Sequence, residues 1–84
     1  MYYVYLLHSA EAREFYVGFT EDFIKRVKAH NAGEVTSTKL KRPWKIIYLE
    51  GYLNKQDALG REKFLKSGSG KKYLRKQLKN YFEP

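Results

Sequence analysis

At 84 residues the chain is the size of one small domain. A domain this small buries only about 60% of its unfolded surface, which leaves little room for a second domain or a deep pocket. It contains no cysteine, which excludes disulfides, thiolate metal sites and thiol nucleophiles, and its two histidines are too few for a zinc centre. A net charge of +8, from 17 Lys and Arg against 9 Asp and Glu, favours polyanionic partners, nucleic acid ahead of an anionic membrane.

Residues 2 to 8, containing the run "YYVYLL", and residues 14 to 19, "EFYVGF", read as strands. The polar stretch "SAEARE" between them is short enough for an antiparallel hairpin. The first run is far too short to span a bilayer, and no basic region with a cleavage site opens the chain, so a cytoplasmic protein is expected.

A helix is expected from about Glu21 to Ala32, opened by Thr20 with Glu21 and Asp22 and stopped by Gly33. At about 100° per residue, Phe23, Ile24 and Val27 form its core-facing stripe. Arg26 and His30, one turn apart, fall beside that stripe, as solvated packing residues or as the edge of a site. The loop "TKLKRPWK" then carries Lys39, Lys41, Arg42 and Lys45 around Trp44, an aromatic that can stack on bases while the cations neutralise phosphates.

"WKIIYLEGY" reads as a third strand, and Asn54 with Asp57 three residues on resembles a cap opening a second helix to about Lys66. Ala58, Leu59 and Leu65 mark the apolar stripe of that helix, and Glu62 sits within it. A carboxylate there is costly unless it is paired, protonated or bound to a metal. It is therefore a snorkelling side chain, an ion-pair partner of Arg26 or a lysine, or a ligand for a hard cation such as magnesium or manganese. "SGSG" breaks the chain before a last helix, residues 71 to 82, whose Lys71, Lys72, Arg75 and Lys76 belong to a stretch of seven basic residues and no acid from Lys63 to Lys79. The order is ββαβαα. The expected fold class is α+β, a three-stranded, largely antiparallel sheet with helices packed against it, formed by residues 1–84 as a single domain.

The chain resembles the GIY-YIG nucleases. Their first motif, on strand one, matches Tyr3-Val4-Tyr5, and their second, on strand two, matches Tyr16-Val17-Gly18. An arginine in the next helix matches Arg26, a histidine one turn later matches His30, and a glutamate in a later helix matches Glu62. "HNAG" and "KRPWKIIY" are similar to the small standalone bacterial members, which are related to the nuclease domain of the excision-repair incision subunit. The departures are Tyr3 in place of the first glycine, valine for isoleucine at positions 4 and 17, and Gly60 inside the second helix.

The resemblance implies a divalent-metal-dependent endonuclease that hydrolyses DNA phosphodiester bonds, structure-specific in repair or recombination. Glu62 would hold one Mg²⁺ or Mn²⁺, and Arg26 would grip the phosphate. Tyr5 would take or relay the proton of the attacking water, with Tyr16 and His30 orienting water and phosphate, and Gly18 would leave space for a phosphate backbone. Tyrosine is an unusual base, with a reference pKa of about 10, so neighbouring cations would have to lower it. Because these residues include no appended DNA-binding domain, a protein partner supplying substrate specificity is expected. The rival reading is a noncatalytic nucleic-acid-binding module, which accounts for the charge and the tyrosines but not for Glu62 on an apolar stripe.

Overall fold

The computed structural model describes all residues, Met1–Pro84. Three strands, β1 (Tyr2–Ser9), β2 (Glu14–Thr20) and β3 (Lys45–Tyr52), form an antiparallel sheet in the order β2-β1-β3. Helix α1 (Phe23–Asn31) follows β2, while α2 (Lys55–Lys66), α3 (Gly68–Gln77) and the single turn α4 (Lys79–Phe82) follow β3. No helix is long and apolar enough to cross a membrane.

Strand alternation divides the core in two. Val4, Leu6 and Val17 face α2 and α3, where Ala58, Leu65 and Leu74 close the larger cluster. Burying one such leucine or valine contributes about 1.5–3 kcal/mol. Tyr5 and Leu7 point to the opposite face, towards Trp44, with Tyr16, Val27 and Ile46 against them. In β3, Tyr48 pairs with Leu6 and Ile46 with Leu7, so Ile47 is an extra residue that bulges the strand.

The second face also buries polar groups. His30 is fully buried, whereas Ile24 is 59% exposed. The inward side of α1 therefore runs through Phe23, Arg26, Val27 and His30, and the expected stripe through Ile24 is corrected. Asp22, not Thr20, caps this helix by accepting from the Lys25 amide, and Gly33 ends it with a φ of 78°.

Asn54 caps α2 as expected, accepting from the Gln56 amide at 2.8 Å. The "SGSG" stretch does not stay outside the helices. Ser67 caps α3, and Gly68, Ser69 and Gly70 form its first turn, so α3 begins earlier than expected and the chain turns again into α4. Gly70 lies so close to α2 that a Cβ there would stand 2.0 Å from the Phe64 carbonyl oxygen. On β3, Glu50 holds Arg61 of α2 through both carboxylate oxygens and accepts the Tyr48 and Tyr52 hydroxyl protons at 2.7 and 2.8 Å.

Candidate active site

Four of the residues singled out from sequence meet on the α1 side of the sheet. Tyr5 comes from the central strand, Tyr16 from β2 and Arg26 and His30 from successive turns of α1. The Tyr16 ring leans edge-on over His30 at 5.0 Å between centroids and lies 6.4 Å from Tyr5. Arg26, half-buried, stands beside the Tyr5 and Tyr16 hydroxyls, and hydrogen bonding to Tyr5 outweighs burial and raises its pKa, so the guanidinium stays protonated.

His30 lies in a hydrogen-bonded chain. Its Nδ1 is 2.8 Å from the Thr38 hydroxyl and its Nε2 is 2.9 Å from the Tyr5 hydroxyl. The Thr38 hydroxyl also lies 3.3 Å from the Val35 carbonyl, and when it donates there it accepts from His30. In that arrangement the imidazole proton sits on Nδ1 and Nε2 accepts the proton of Tyr5. Burial, then the charge of Arg26, lowers the His30 pKa, so the ring is neutral at physiological pH.

Burial raises the Tyr5 pKa. Arg26 opposes this, but Tyr16 and Glu62 add to it, and the net direction is upward. The cation beside the phenol does not lower its pKa below the ordinary value, contrary to what a tyrosine base was expected to need. The space left by Gly18 is also corrected: a Cβ there would stand 2.2 Å from the Tyr5 hydroxyl, so the Tyr5 ring, not a phosphate backbone, fills it.

Glu62 stands apart from this group. Its charge is felt at Tyr5, but its ion-pair partner is Lys66, at 3.1 Å one turn along α2. Its side chain is only 20% exposed, and that of Lys66 is 53% exposed. No three His, Asp or Glu side chains converge anywhere in the chain. The donor set therefore suits a cation that takes one carboxylate and completes its shell with water and phosphate, the usual habit of magnesium, and does not suit an all-protein cage.

Trp44 is 5% exposed, with its indole N–H donating to the Thr38 carbonyl at 2.8 Å. It is not free to stack on bases, and that expectation is corrected. Asn31 clips both ends of the Trp44 backbone, donating to its carbonyl at 2.9 Å and accepting from its amide at 2.6 Å. Thr38 was missed in the sequence because it lies in a polar stretch that reads as solvated loop, and Asn31 because it reads as the polar end of a helix; a threonine eight residues beyond His30 was the only signal.

The basic residues of the loop and last helices are all exposed. Lys41 pairs with Glu14 at 3.2 Å, Arg42 donates to the Lys39 carbonyl at 2.7 Å, and Lys45 lies over the Tyr81 ring. Lys71 and Arg75 face a cleft beside β2, and Lys72 and Lys76 are exposed on the same helix.

The profile of the GIY-YIG catalytic domain matches residues 1–78. A UPF0213 protein of Pediococcus acidilactici is 37% identical over 82 residues, covering 94% of this chain and 82% of the relative. A UPF0213 protein of Staphylococcus aureus is 35% identical over 75 residues, 88% of this chain and 90% of its own length. The UPF0213 protein YazA of Bacillus subtilis is 40% identical over 58 residues, which cover 68% of this chain and 59% of that relative. Three antiparallel strands flanked by helices, two motif tyrosines against an arginine and a buried histidine, and a profile spanning nearly the whole length lead to one conclusion: the chain belongs to the GIY-YIG nuclease family.

Proposed function

We propose that these 84 residues act as one unit, a divalent-metal-dependent endonuclease that hydrolyses phosphodiester bonds of DNA with a structural preference suited to repair or recombination. The observation that carries this reading is the directed chain from Tyr5 through His30 to Thr38, with Arg26 beside the phenol. A water approaching Tyr5 gives its proton to the phenol oxygen as the phenol proton passes to Nε2 of His30. The resulting hydroxide attacks phosphorus, and the bond to the 3′ oxygen breaks. This relay does not require a free phenolate, which burial of Tyr5 disfavours. Burial and the charge of Arg26 disfavour the imidazolium, so His30 releases its proton back through the Tyr5 hydroxyl to solvent, and the leaving 3′ oxygen takes up a proton from solvent.

Arg26 offers the phosphate a planar two-pronged donor, and Tyr16 orients the water. Glu62 would hold the divalent cation, magnesium or manganese, which when bound stabilises charge developing on the phosphate and on the leaving oxygen. The exposed Lys39, Lys41, Arg42, Lys45, Lys71, Lys72, Arg75 and Lys76 would track the nucleic-acid backbone. A cytoplasmic location and a protein partner that delivers the substrate belong to the same proposal. The noncatalytic binding module draws support from the Glu62–Lys66 pair, which satisfies the carboxylate without a metal.

Magnesium-dependent cleavage of single-stranded, nicked, flapped and branched DNAs by the parent and by Glu62→Gln separates the two readings. The nuclease reading expects the variant to keep its melting temperature and DNA affinity and to lose cleavage. Cleavage by the variant at the parent rate, or no cleavage of any DNA by the parent, overturns it.

A further inference from the structure

Beside the outer edge of β2, away from His30, a cleft of about 430 Å³ opens between that strand and α3. Leu74 lines its apolar side, and the Phe15 and Phe82 rings meet edge to face at 5.1 Å. Phe15 is 37% exposed. Arg13, Lys71 and Arg75 stand around this apolar patch, and none of them is paired with a carboxylate. Glu14, the acid that also lines the cleft, is held by Lys41.

Arg13 adds a second observation. It adopts a φ of 56° and is the only non-glycine residue in the left-handed region, where a side chain other than Asn or Asp is strained. The hairpin turn thus accepts strain at a residue whose guanidinium lines the cleft. Tyr16 and Lys66 also contribute to its walls, so the cleft lies across the edge strand from the tyrosine site and beside the partner of Glu62.

We propose that this cleft holds one unpaired nucleotide of the bound strand, its base against Phe15, Phe82 and Leu74 and its phosphate between Arg13, Lys71 and Arg75. Aromatic and apolar surface ringed by unpaired cations is complementary to a flat base carrying a phosphate. An inorganic anion would leave the rings unused, and an acidic peptide offers no flat face to them. Given the nuclease reading above, on which this placement rests, the nucleotide flanks the bond to be cut and makes the enzyme prefer junctions between duplex and single strand.

The test is an amide NMR titration of the full chain, in EDTA, with a 5′-phosphorylated thymidine trinucleotide, and in parallel with thymidine and with inorganic phosphate. The proposal expects saturable shifts centred on Arg13, Phe15, Leu74 and Arg75, with the trinucleotide binding at least about 10-fold tighter than either fragment. The double variant Arg13→Gly/Arg75→Gln should weaken trinucleotide binding about 10-fold or more, while the glycine relieves strain and sustains the fold. Shifts spread over the basic loop and α3 without saturation overturn the proposal, as does a double variant that binds like the parent or equal binding of phosphate alone. Cleavage of the DNA panel is scored separately. Cleft binding without cleavage of any substrate defeats the nuclease reading and leaves the nucleotide site standing, whereas cleavage with an empty cleft defeats the site alone.

Discussion

The Tyr5 hydroxyl and Nε2 of His30 lie 2.9 Å apart inside the protein, joining the central strand to the last full turn of α1. Behind the ring stands Thr38, its hydroxyl 2.8 Å from Nδ1 and 3.3 Å from the Val35 carbonyl, and the proposed relay uses the arrangement in which Nδ1 carries the imidazole proton.

Thr38→Val removes the acceptor for the Nδ1 proton and leaves a buried donor unpaired, which should cost roughly 1–3 kcal/mol of stability. Single-turnover cleavage should fall as well, because the ring can then rotate or change tautomer. Thr38→Ser should restore both properties. Urea melts together with single-turnover rates check this; a stable, fully active valine variant would show that His30 does not depend on Thr38.

Acid should weaken the fold through His30. Its folded-state pKa is lowered from 6.5, so between that value and the folded pKa the unfolded chain binds the extra proton and the native chain does not. The contribution is complete above about pH 6.5 and is lost as pH falls through the folded value. His8, whose pKa burial and then Lys45 also lower, acts in the same direction. Melting curves from pH 8 to pH 4 should therefore slope downward, and the slope should shrink in His30→Gln by more than one histidine's share of noise. A flat profile in the parent would contradict a buried neutral imidazole.

Gly18→Ala and Tyr5→Phe act on the same phenol in different ways. The methyl group of Gly18→Ala meets the Tyr5 ring, which must move off His30, so both stability and cleavage should drop. Tyr5→Phe takes away one oxygen and should retain the fold while turnover falls by about 10²- to 10⁴-fold, the usual contribution of a general base. Arg26→Lys should also be severely impaired, since an ammonium cannot reproduce the planar fork. Saturating-enzyme rates measure the chemical step free of binding.

Two helix glycines should respond in opposite directions to alanine. Nothing lies within 4 Å of a Cβ built on Gly60, so Gly60→Ala should stabilise α2 by about 0.5–1 kcal/mol. Gly70→Ala drives a methyl group into the α2 backbone and should destabilise the α2–α3 contact by more than that. Thermal melts of the two variants should diverge from the parent on either side.

Glu50 should behave as a structural acid. Burial pushes its carboxyl up, but hydrogen bonds from Arg61, Tyr48 and Tyr52 and the charge of Arg61 outweigh this and hold it below the ordinary range. Glu50→Ala leaves a mostly buried guanidinium and two hydroxyls without their acceptor and should cost roughly 2–4 kcal/mol. Its contribution in the parent is present above the ordinary carboxyl pKa and is lost as pH falls through the lowered value, a window below that of His30.

The strands, the hairpin, the C-terminal stop of α1 and the ends of α2 were legible because each rests on local chemistry: alternating aromatic and β-branched residues, Gly33 in the left-handed region, Asn54 accepting an amide. What failed depended on contacts distant in sequence. Ile24 is apolar and was assigned inward, but the sheet face it would have met is occupied by His30 and Arg26, whose polar groups find partners on Tyr5 and Thr38. Trp44 sits among cations and reads as a surface ring, yet its N–H reaches a carbonyl that only the folded loop supplies. Gly18 and Gly70 read as gaps or breaks, and each instead admits a neighbour, the Tyr5 ring and the α2 backbone. Of the candidate site, Tyr5, Tyr16, Arg26 and His30, which meet, were visible and their wiring was not, since hydrogen bonding has no trace in spacing.

The Asn31 side chain, exchanging two hydrogen bonds with the Trp44 backbone, imitates one rung of a β-ladder between a helix end and a strand start. With the Trp44 indole tied to Thr38, the segment between them is moored at three points: Asn31, Thr38 and Trp44. Between Thr38 and Trp44 the chain makes one helical turn, with the Lys41 amide donating to the Thr38 carbonyl and the Arg42 side chain to the Lys39 carbonyl, while the Lys41 side chain pairs with Glu14. Exchanging the charges at Lys39 and Lys41, whose side chains hold none of the three moorings, should therefore leave the imidazole where it is.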